Sequence, residues 1–574
     1  MAWRSRWTRQ ALGLSSLYPP WKNASSRFGR IDGIKNFNTT SISCQIFNEK
    51  QYYVSTPIFY VNSVPHIGHL HSMVIADVLG RYNQLKSSNP SFLVTGTDEH
   101  GMKIQRTAVS KGQSPNDLCE TVSIRFKELA NVANVNYQDF IRTTESRHHK
   151  AAQHLWNSLS KNGYIYKGQY EGWYSVSDES YYAANQVHKT LDPVTGAQVM
   201  TSIETGQPVE WIKEENYMFK LSAFQDRLLS WLTNNQTALI SSQKSDILNQ
   251  LQSKDLADLS ISRPTSRLSW GVPVPGDQLH VMYVWIDALA NYLTVTGYPW
   301  SGQKSTQWPA DVHVVGKDII KFHAIYWPAI LMGLGLDLPK SILAHGHWTI
   351  QEEKISKSRG NVIDPFKAIE EWGVDTVRYY LMRAPGSLWG DTDWAPDRLG
   401  EHYRKDLGGQ LGNLLGRISA SKLWSRLPPG RRSGASLFYP PDPTMCTLEG
   451  AHHLRKQLEE VPNLFANHMQ AYEIPKALKA IFDVLTETNR LVQHIAPWHD
   501  STSPEQAYYC LYLSAESLRI SGILLQPFIP NKAAELLDNL GVPVNRRRWV
   551  DLNLGAGVGS CIKTPTNQLF PKRT

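Results

Sequence analysis

The feature that most constrains the fold is an alternation running from Tyr52 to Ala133. Tyr52-Tyr53-Val54-Ser55-Thr56 has the aromatic and β-branched content of a strand, a Pro-containing loop follows, and Ile67 to Leu85 carries apolar residues at helical spacing. Phe92-Leu93-Val94-Thr95 predicts a second strand, ending in the turn Gly96-Thr97-Asp98-Glu99-His100-Gly101, and Pro115 to Ala133 predicts a second helix. Strand, helix, strand and helix in this order predict an α/β fold whose parallel sheet has helices on its faces, because parallel neighbours need a crossover long enough to hold a helix.

The texture changes from Gly163 to Ser269. Short aromatic, turn-rich segments (Tyr170-Glu171-Gly172-Trp173-Tyr174, Leu191-Asp192-Pro193, Gly196) precede a polar helical stretch with Leu228, Leu229 and Trp231, which suits an insertion between two halves of the sheet. Strand signals return at Val281-Met282-Tyr283-Val284-Trp285 and at Val312-His313-Val314-Val315. Beyond Gly390 the pattern is helical, with a Pro/Gly/Arg-rich interruption from Leu427 to Pro443 that predicts a surface loop. The expected divisions are a leader over 1–45, sheet halves over 50–162 and 271–345, the insertion over 163–270, a linker over 346–395 and a helical part over 396–574.

Charge adds two constraints. A formal net charge of +8 and a pI near 9.0 permit a polyanionic partner. Part of the excess lies in the leader, where Arg4, Arg6, Arg9, Lys22, Arg27, Arg30 and Lys35 face the single acid Asp32. An Arg-rich, acid-poor, serine-containing segment without an apolar h-region suits a transit peptide for the mitochondrial matrix; the alternative is a disordered basic tail. No apolar run of about eighteen residues exists, so no membrane span is expected. The five cysteines (Cys44, Cys119, Cys446, Cys510, Cys561) stand singly without a CxxC pair, so neither a thiolate zinc site nor a disulfide framework is expected.

Neither a GxxxxGK[ST] loop nor a GxGxxG turn follows the first strand; His66-Ile67-Gly68-His69 stands there, where a helix begins. A helix N-terminus favours an anion, two histidines add donors, and Gly68 lets a flat base or a phosphate approach. Taken alone, such histidines also suit structural or metal-binding roles. Lys354-Ile355-Ser356-Lys357-Ser358, followed by Arg359-Gly360-Asn361, forms a cationic loop able to neutralise charge on departing pyrophosphate, or simply a solvated basic loop.

The pair, in this order and placement, resembles the two signatures of class I aminoacyl-tRNA synthetases. The surroundings resemble the methionyl-tRNA synthetases over Gln51 to about Pro530: Thr56-Pro57-Ile58-Phe59-Tyr60-Val61-Asn62, Gly96 to Gly101, Tyr283-Val284-Trp285-Ile286-Asp287-Ala288, Gly316-Lys317-Asp318-Ile319-Ile320-Lys321-Phe322-His323, and His345-Gly346-His347-Trp348. The resemblance implies a Rossmann-like catalytic domain with a connective insertion, then an all-α anticodon-binding bundle. It implies ATP with Mg²⁺ as cofactor, and methionine and tRNA(Met) as partners. Asp98 would hold the substrate ammonium; Tyr60, Trp285, Tyr292, Ile319 and His323 would surround the thioether, with Pro57 and Ile58 along the backbone. Leu289 stands where relatives often carry proline. His66, Gly68, His69, Gly316, Asp318, Lys354, Ser356, Lys357 and Ser358 would bind ATP, with His66, His69, Lys354 and Lys357 stabilising the transition state. No nucleophilic side chain is required.

Two departures follow from the same resemblance. Gly172-Trp173-Tyr174-Ser175-Val176-Ser177-Asp178 lies where many relatives hold zinc knuckles, yet has serines in place of cysteines, so no structural zinc is expected. Asn413 and Arg417, one helical turn apart, match the family's anticodon readers together with Trp498, while Gly409 replaces a third polar reader; Trp498 could instead cap the bundle. Arg546-Arg547-Arg548 suits tRNA phosphates or solvent equally. The chain ends soon after, without an appended dimerisation domain, so a monomer is expected. Competing readings are a synthetase for another amino acid, a non-catalytic tRNA-binding paralogue and a small-molecule nucleotidyltransferase.

Overall fold

Tyr52–Ser55 enters the middle of a parallel sheet, with Ser91–Asp98 on one side (Val54 opposite Leu93) and Val312–Gly316 on the other (Val54 opposite Val312). Its Tyr53 and Val54 side chains are fully buried, as expected of a strand covered by helices on both faces. Ile342–His345 lies beyond Val312–Gly316, and Phe59–Tyr60 and Asp139–Arg142 both pair in parallel with Ser91–Asp98. The computed structural model describes residues 50–573 except 88, 177–179, 183, 192–195, 254, 302–306, 352, 355–361, 443–447, 449 and 566. The expected leader lies outside the described residues, as do Ser356, Lys357 and Ser358.

Three local expectations change. The strand predicted over Phe92–Thr95 runs on to Asp98, so Gly96 to Asp98 is extended chain; a Cβ on Gly96 would meet the Ile141 carbonyl oxygen at 2.0 Å, and glycine is required by that close strand pairing. The strand predicted over Val281–Trp285 stops at Met282, and Val284–Thr294 is a helix. The insertion is also interrupted: Leu239–Ile240, inside 163–270, pairs in parallel with Ile342–Leu343 and forms the edge of the main sheet. The remaining strands of the insertion pair antiparallel, built on Ile165–Ser175 against Glu210–Phe219, and the helices Gln225–Asn234 and Lys244–Ser253 follow.

The helical part, Ala451–Gln470, Ile474–Ile495, Pro504–Leu525 and Pro530–Asn539, shares one apolar core with the sheet domain, and a fully buried cation, Arg378, sits at the junction. Arg378 donates to Asp77 at 2.5 Å, to the carbonyls of Pro527 and Phe528 at 2.8 and 3.0 Å, and to that of Ala133 at 3.1 Å. Asp77 lies on the helix Ile67–Lys86, so this cluster ties the first sheet helix to the end of the bundle's last long helix. The Arg546–Arg548 cluster is engaged within its own segment: Arg546 donates to the carbonyls of Ala556 and Val558, Arg547 to Val542 and Asp538, and Arg548 lies 3.9 Å from Asp551.

Candidate active site and anticodon face

The order of strands reverses at Tyr52–Ser55, and in open parallel sheets the crevice at such a point, beyond the carboxyl ends of the strands, is where ligands bind. The loop after Ser55, the end of Ser91–Asp98 and the end of Val312–Gly316 all open there.

On the first of these, His66 caps the helix Ile67–Lys86 with an extended backbone (φ −134°, ψ 175°). The Gly68 N–H donates to His66 Nδ1 at 3.1 Å, and the His66 N–H donates to His69 Nδ1 at 3.1 Å. The two imidazoles stack with centroids 3.7 Å apart. Both Nδ1 atoms accept, so the proton that either ring carries sits on Nε2, a tautomer set by backbone amides. A Cβ at Gly68 would lie 3.0 Å from the His66 ring, so glycine here clears the histidine cap itself.

The neighbouring strand ends at Gly316, followed by Asp318. A Cβ at Gly316 would come within 2.6 Å of the Asp318 carboxylate, which lies 3.2 Å from His347 Nε2 and is half exposed. Lys354 sits on the short strand Glu353–Lys354, opposite Thr349. Ile363 accepts the Ile67 N–H through its carbonyl at 3.2 Å, one residue from His66.

The loop after Ser55 and the end of Ser91–Asp98 also border a cavity of about 250 Å³. Pro57, Ile58, Tyr60, Asp98, Trp285, Leu289, Tyr292, Ile319 and His323 all line it. The helix Val284–Thr294 contributes Trp285, Ala288, Leu289 and Tyr292, a spacing of 0, 3, 4 and 7 that puts them on one face. Its opposite side holds Asp287, fully buried and bonded to His100 and His148, both at 2.9 Å. Those imidazoles hold the Asp287 carboxyl at about 2 although burial alone pushes it up.

His323 follows the strand end in a wide helical turn, Phe322–Tyr326. Its Nδ1 lies 2.9 Å from the Ile319 carbonyl and so must be the donor there; its Nε2, 2.8 Å from the Tyr292 hydroxyl, is then an acceptor. Burial lowers the His323 pKa to about 4 and raises that of Tyr292, so the pair is neutral near pH 7. Lys103 and Phe322 also line the cavity and were not singled out by sequence. Phe322 lies within a motif already read, and Lys103 lies two residues past Gly101, where helical burial alone gives no reason to choose it.

Among the described residues, no group of three or more His, Cys, Asp and Glu could hold a metal ion, and no helix is long and apolar enough to cross a membrane.

A second cavity, about 810 Å³, lies on the helical part. Asn413 and Arg417 line it, together with Gly408, Gly409 and the segment Gln568–Arg573. The Arg417 guanidinium is 5.7 Å from the Trp498 ring centroid, and Trp498 is 41% exposed. The helix Ile474–Ile495 ends at Ala496 in a left-handed conformation (φ 47°), which turns Pro497-Trp498 out of the bundle. The structure thus brings the three sequence-named residues onto one face, and the indole does not close the bundle core.

The profile of the family described as tRNA synthetases class I (M) matches residues 52–419, and that of the anticodon binding domain of methionyl tRNA ligase matches 443–563. The chain is 42% identical over 520 residues to a probable mitochondrial methionine–tRNA ligase of Neurospora crassa, covering 89% of this chain and 83% of the relative. It is 42% identical over 544 residues to the mitochondrial methionine–tRNA ligase of Mus musculus, covering 92% and 91%. Its fold matches the crystal structure of Mycobacterium tuberculosis methionyl-tRNA synthetase bound by methionyl-adenylate with a TM-score of 0.82 at 35% identity, over 91% of this chain and 100% of that one.

Proposed function

The chain belongs to the methionyl-tRNA synthetases of class I and has their methionine–tRNA ligase function, and from that premise we propose how its residues divide the reaction. Methionine occupies the 250 Å³ cavity, its ammonium on Asp98 and its thioether among Tyr60, Trp285, Tyr292, Ile319 and His323, with Pro57, Ile58 and Leu289 completing the walls. A polarizable sulfur suits aromatic edges, and a carboxylate is the natural partner of an ammonium. ATP lies along the strand ends, with its ribose at Gly316 and Asp318 and its phosphates at His66, Gly68 and His69. Lys354, Ser356, Lys357 and Ser358 cover the leaving pyrophosphate. Mg²⁺ bound to the ATP phosphates would offset their charge.

A carboxylate oxygen of methionine gives an electron pair to the α-phosphorus, the bond from that phosphorus to the bridging oxygen breaks, and pyrophosphate leaves with the pair. The Nε2–H groups of His66 and His69 meet the charge that builds on the phosphoryl oxygens. The terminal ribose hydroxyl of tRNA then attacks the carbonyl carbon and AMP departs. Asn413, Arg417 and Trp498 read the anticodon, the indole by stacking and the polar groups at base edges.

The observation that carries this reading is the cavity itself: every residue named for methionine lines one pocket, and Pro57, Ile58 and Tyr60 come from the loop that leads to His66. The leader and the mitochondrial relatives support work on mitochondrial tRNA(Met) in the matrix. Charging is the test. Methionyl-tRNA formed from methionine, ATP and mitochondrial tRNA(Met) is the expected product; adenylate formation without charging would remove the tRNA half of the proposal.

A further inference from the structure

We propose that Lys103 holds the α-carboxylate of methionine in the cavity, opposite Asp98 at the ammonium; this rests on the reading of the cavity as the methionine site. A zwitterion that settles in this partly open pocket sheds water at both charged ends, and each end gains from a partner of opposite sign. Asp98 supplies one. His323 supplies no positive charge, because its ring is neutral and both nitrogens are engaged. Among the described residues lining the cavity, Lys103 is the one with a cationic side chain.

Its placement supports the role. Lys103 is the second residue of the helix Met102–Ser110, five residues beyond Asp98. The first turn of that helix is pinned on both sides. Met102 is buried in a cluster with Tyr283 and Val284, at the start of the helix that carries Trp285 and Tyr292. Gln105 Oε1 accepts the backbone N–H groups of Ser269 and Trp270 at 2.9 and 3.2 Å. The backbone at Lys103 is therefore fixed to the pocket wall, while its half-buried side chain reaches the cavity.

The contact has a kinetic signature. As the carboxylate oxygen bonds to the α-phosphorus, the carboxyl group loses its negative charge to the new ester linkage. Lys103 thus binds methionine more tightly than the transition state, and its removal acts on affinity more than on turnover.

The test is calorimetric titration of the full chain and of its Lys103→Met and Lys103→Arg variants with methionine and with methioninol, which keeps the thioether and ammonium but lacks the carboxylate. Lys103→Met is expected to weaken methionine by about 10- to 100-fold, the size of a lost charge-assisted hydrogen bond, and methioninol by less than about 2-fold. Lys103→Arg should restore most of the methionine affinity, and kcat for pyrophosphate exchange should change less than KM. Equal weakening of both ligands would overturn the proposal by making Lys103 a support of the pocket, and so would unchanged methionine binding. A wild-type chain that binds neither ligand would instead remove the methionine reading beneath it.

Discussion

The Tyr292 hydroxyl donates to His323 Nε2 at 2.8 Å because the other ring nitrogen, Nδ1, is committed to the Ile319 carbonyl. A protonated His323 would reverse the first of these bonds and leave the Tyr292 hydrogen without that acceptor, and burial opposes the charge in any case. His345, on the neighbouring strand and bonded to Ser72, is lowered to about 4 by the same cause, and burial also depresses His71 and His313. Each has a folded pKa below its unfolded value near 6.5, so between about pH 6.5 and 4 the unfolded chain binds more protons. Stability from these groups is complete above pH 6.5 and is lost as pH falls toward 4. Thermal unfolding followed from pH 7.5 to 4.5 should show a midpoint that falls steadily below pH 6.5; a flat profile would contradict the neutral-histidine arrangement.

Selectivity at the far end of the cavity has a limit. Homocysteine lacks only the methyl group of methionine, and a pocket distinguishes one such group by about 10- to 200-fold. Homocysteine is therefore expected to be activated, after which its sulfur attacks its own carbonyl carbon, the bond to phosphate breaks, and AMP leaves with a thiolactone as the second product. Homocysteine should stimulate AMP release without tRNA. Background-level AMP would show that the cavity excludes it at binding.

Arg378 joins the sheet domain to the helical part through Asp77 and three main-chain carbonyls. Replacing it by Met leaves Asp77 with Arg81, at 2.8 Å, and strips the three carbonyls of a donor. A loss of about 3–5 kcal/mol is expected, as for other broken buried ion pairs, read from denaturant unfolding. A loss under about 1 kcal/mol would mean that the junction is held by apolar packing alone.

Trp498 and Arg417 provide a separable test of the helical part. Stacking of one base on an aromatic side chain is worth about 1–3 kcal/mol, so Trp498→Ala should raise KM for tRNA by about 5- to 150-fold. Methionine-dependent pyrophosphate exchange should stay unchanged, because the indole packs beside Arg417 and does not line the cavity. Equal loss in both assays would make Trp498 a structural residue of the bundle.

Much of this architecture is written in local sequence. The strand at Tyr52, the helix after His66 and the cavity residues within contiguous motifs each announce themselves by residue type and spacing. What sequence missed is non-local. Leu239–Ile240 is too short to signal a strand, and its partner, Ile342–Leu343, lies about a hundred residues on. Val281 to Trp285 is aromatic and β-branched throughout and so mimics a strand, although the spacing of Trp285, Ala288, Leu289 and Tyr292 already fits a helix face. Gln568–Arg573 reaches the cavity of Asn413 and Arg417 through tertiary contacts such as the Tyr403 hydroxyl on the Pro571 carbonyl at 2.7 Å, which no local pattern encodes.

We propose that the cavity lined by Asp98, Trp285 and Tyr292 selects methionine for activation by ATP. ATP–pyrophosphate exchange with each of the twenty amino acids tests it most directly. Exchange with methionine alone, abolished or nearly so in Lys357→Ala, is the predicted result. Exchange driven by a different amino acid would contradict the assignment of the cavity, and no exchange with any amino acid would contradict the catalytic account altogether.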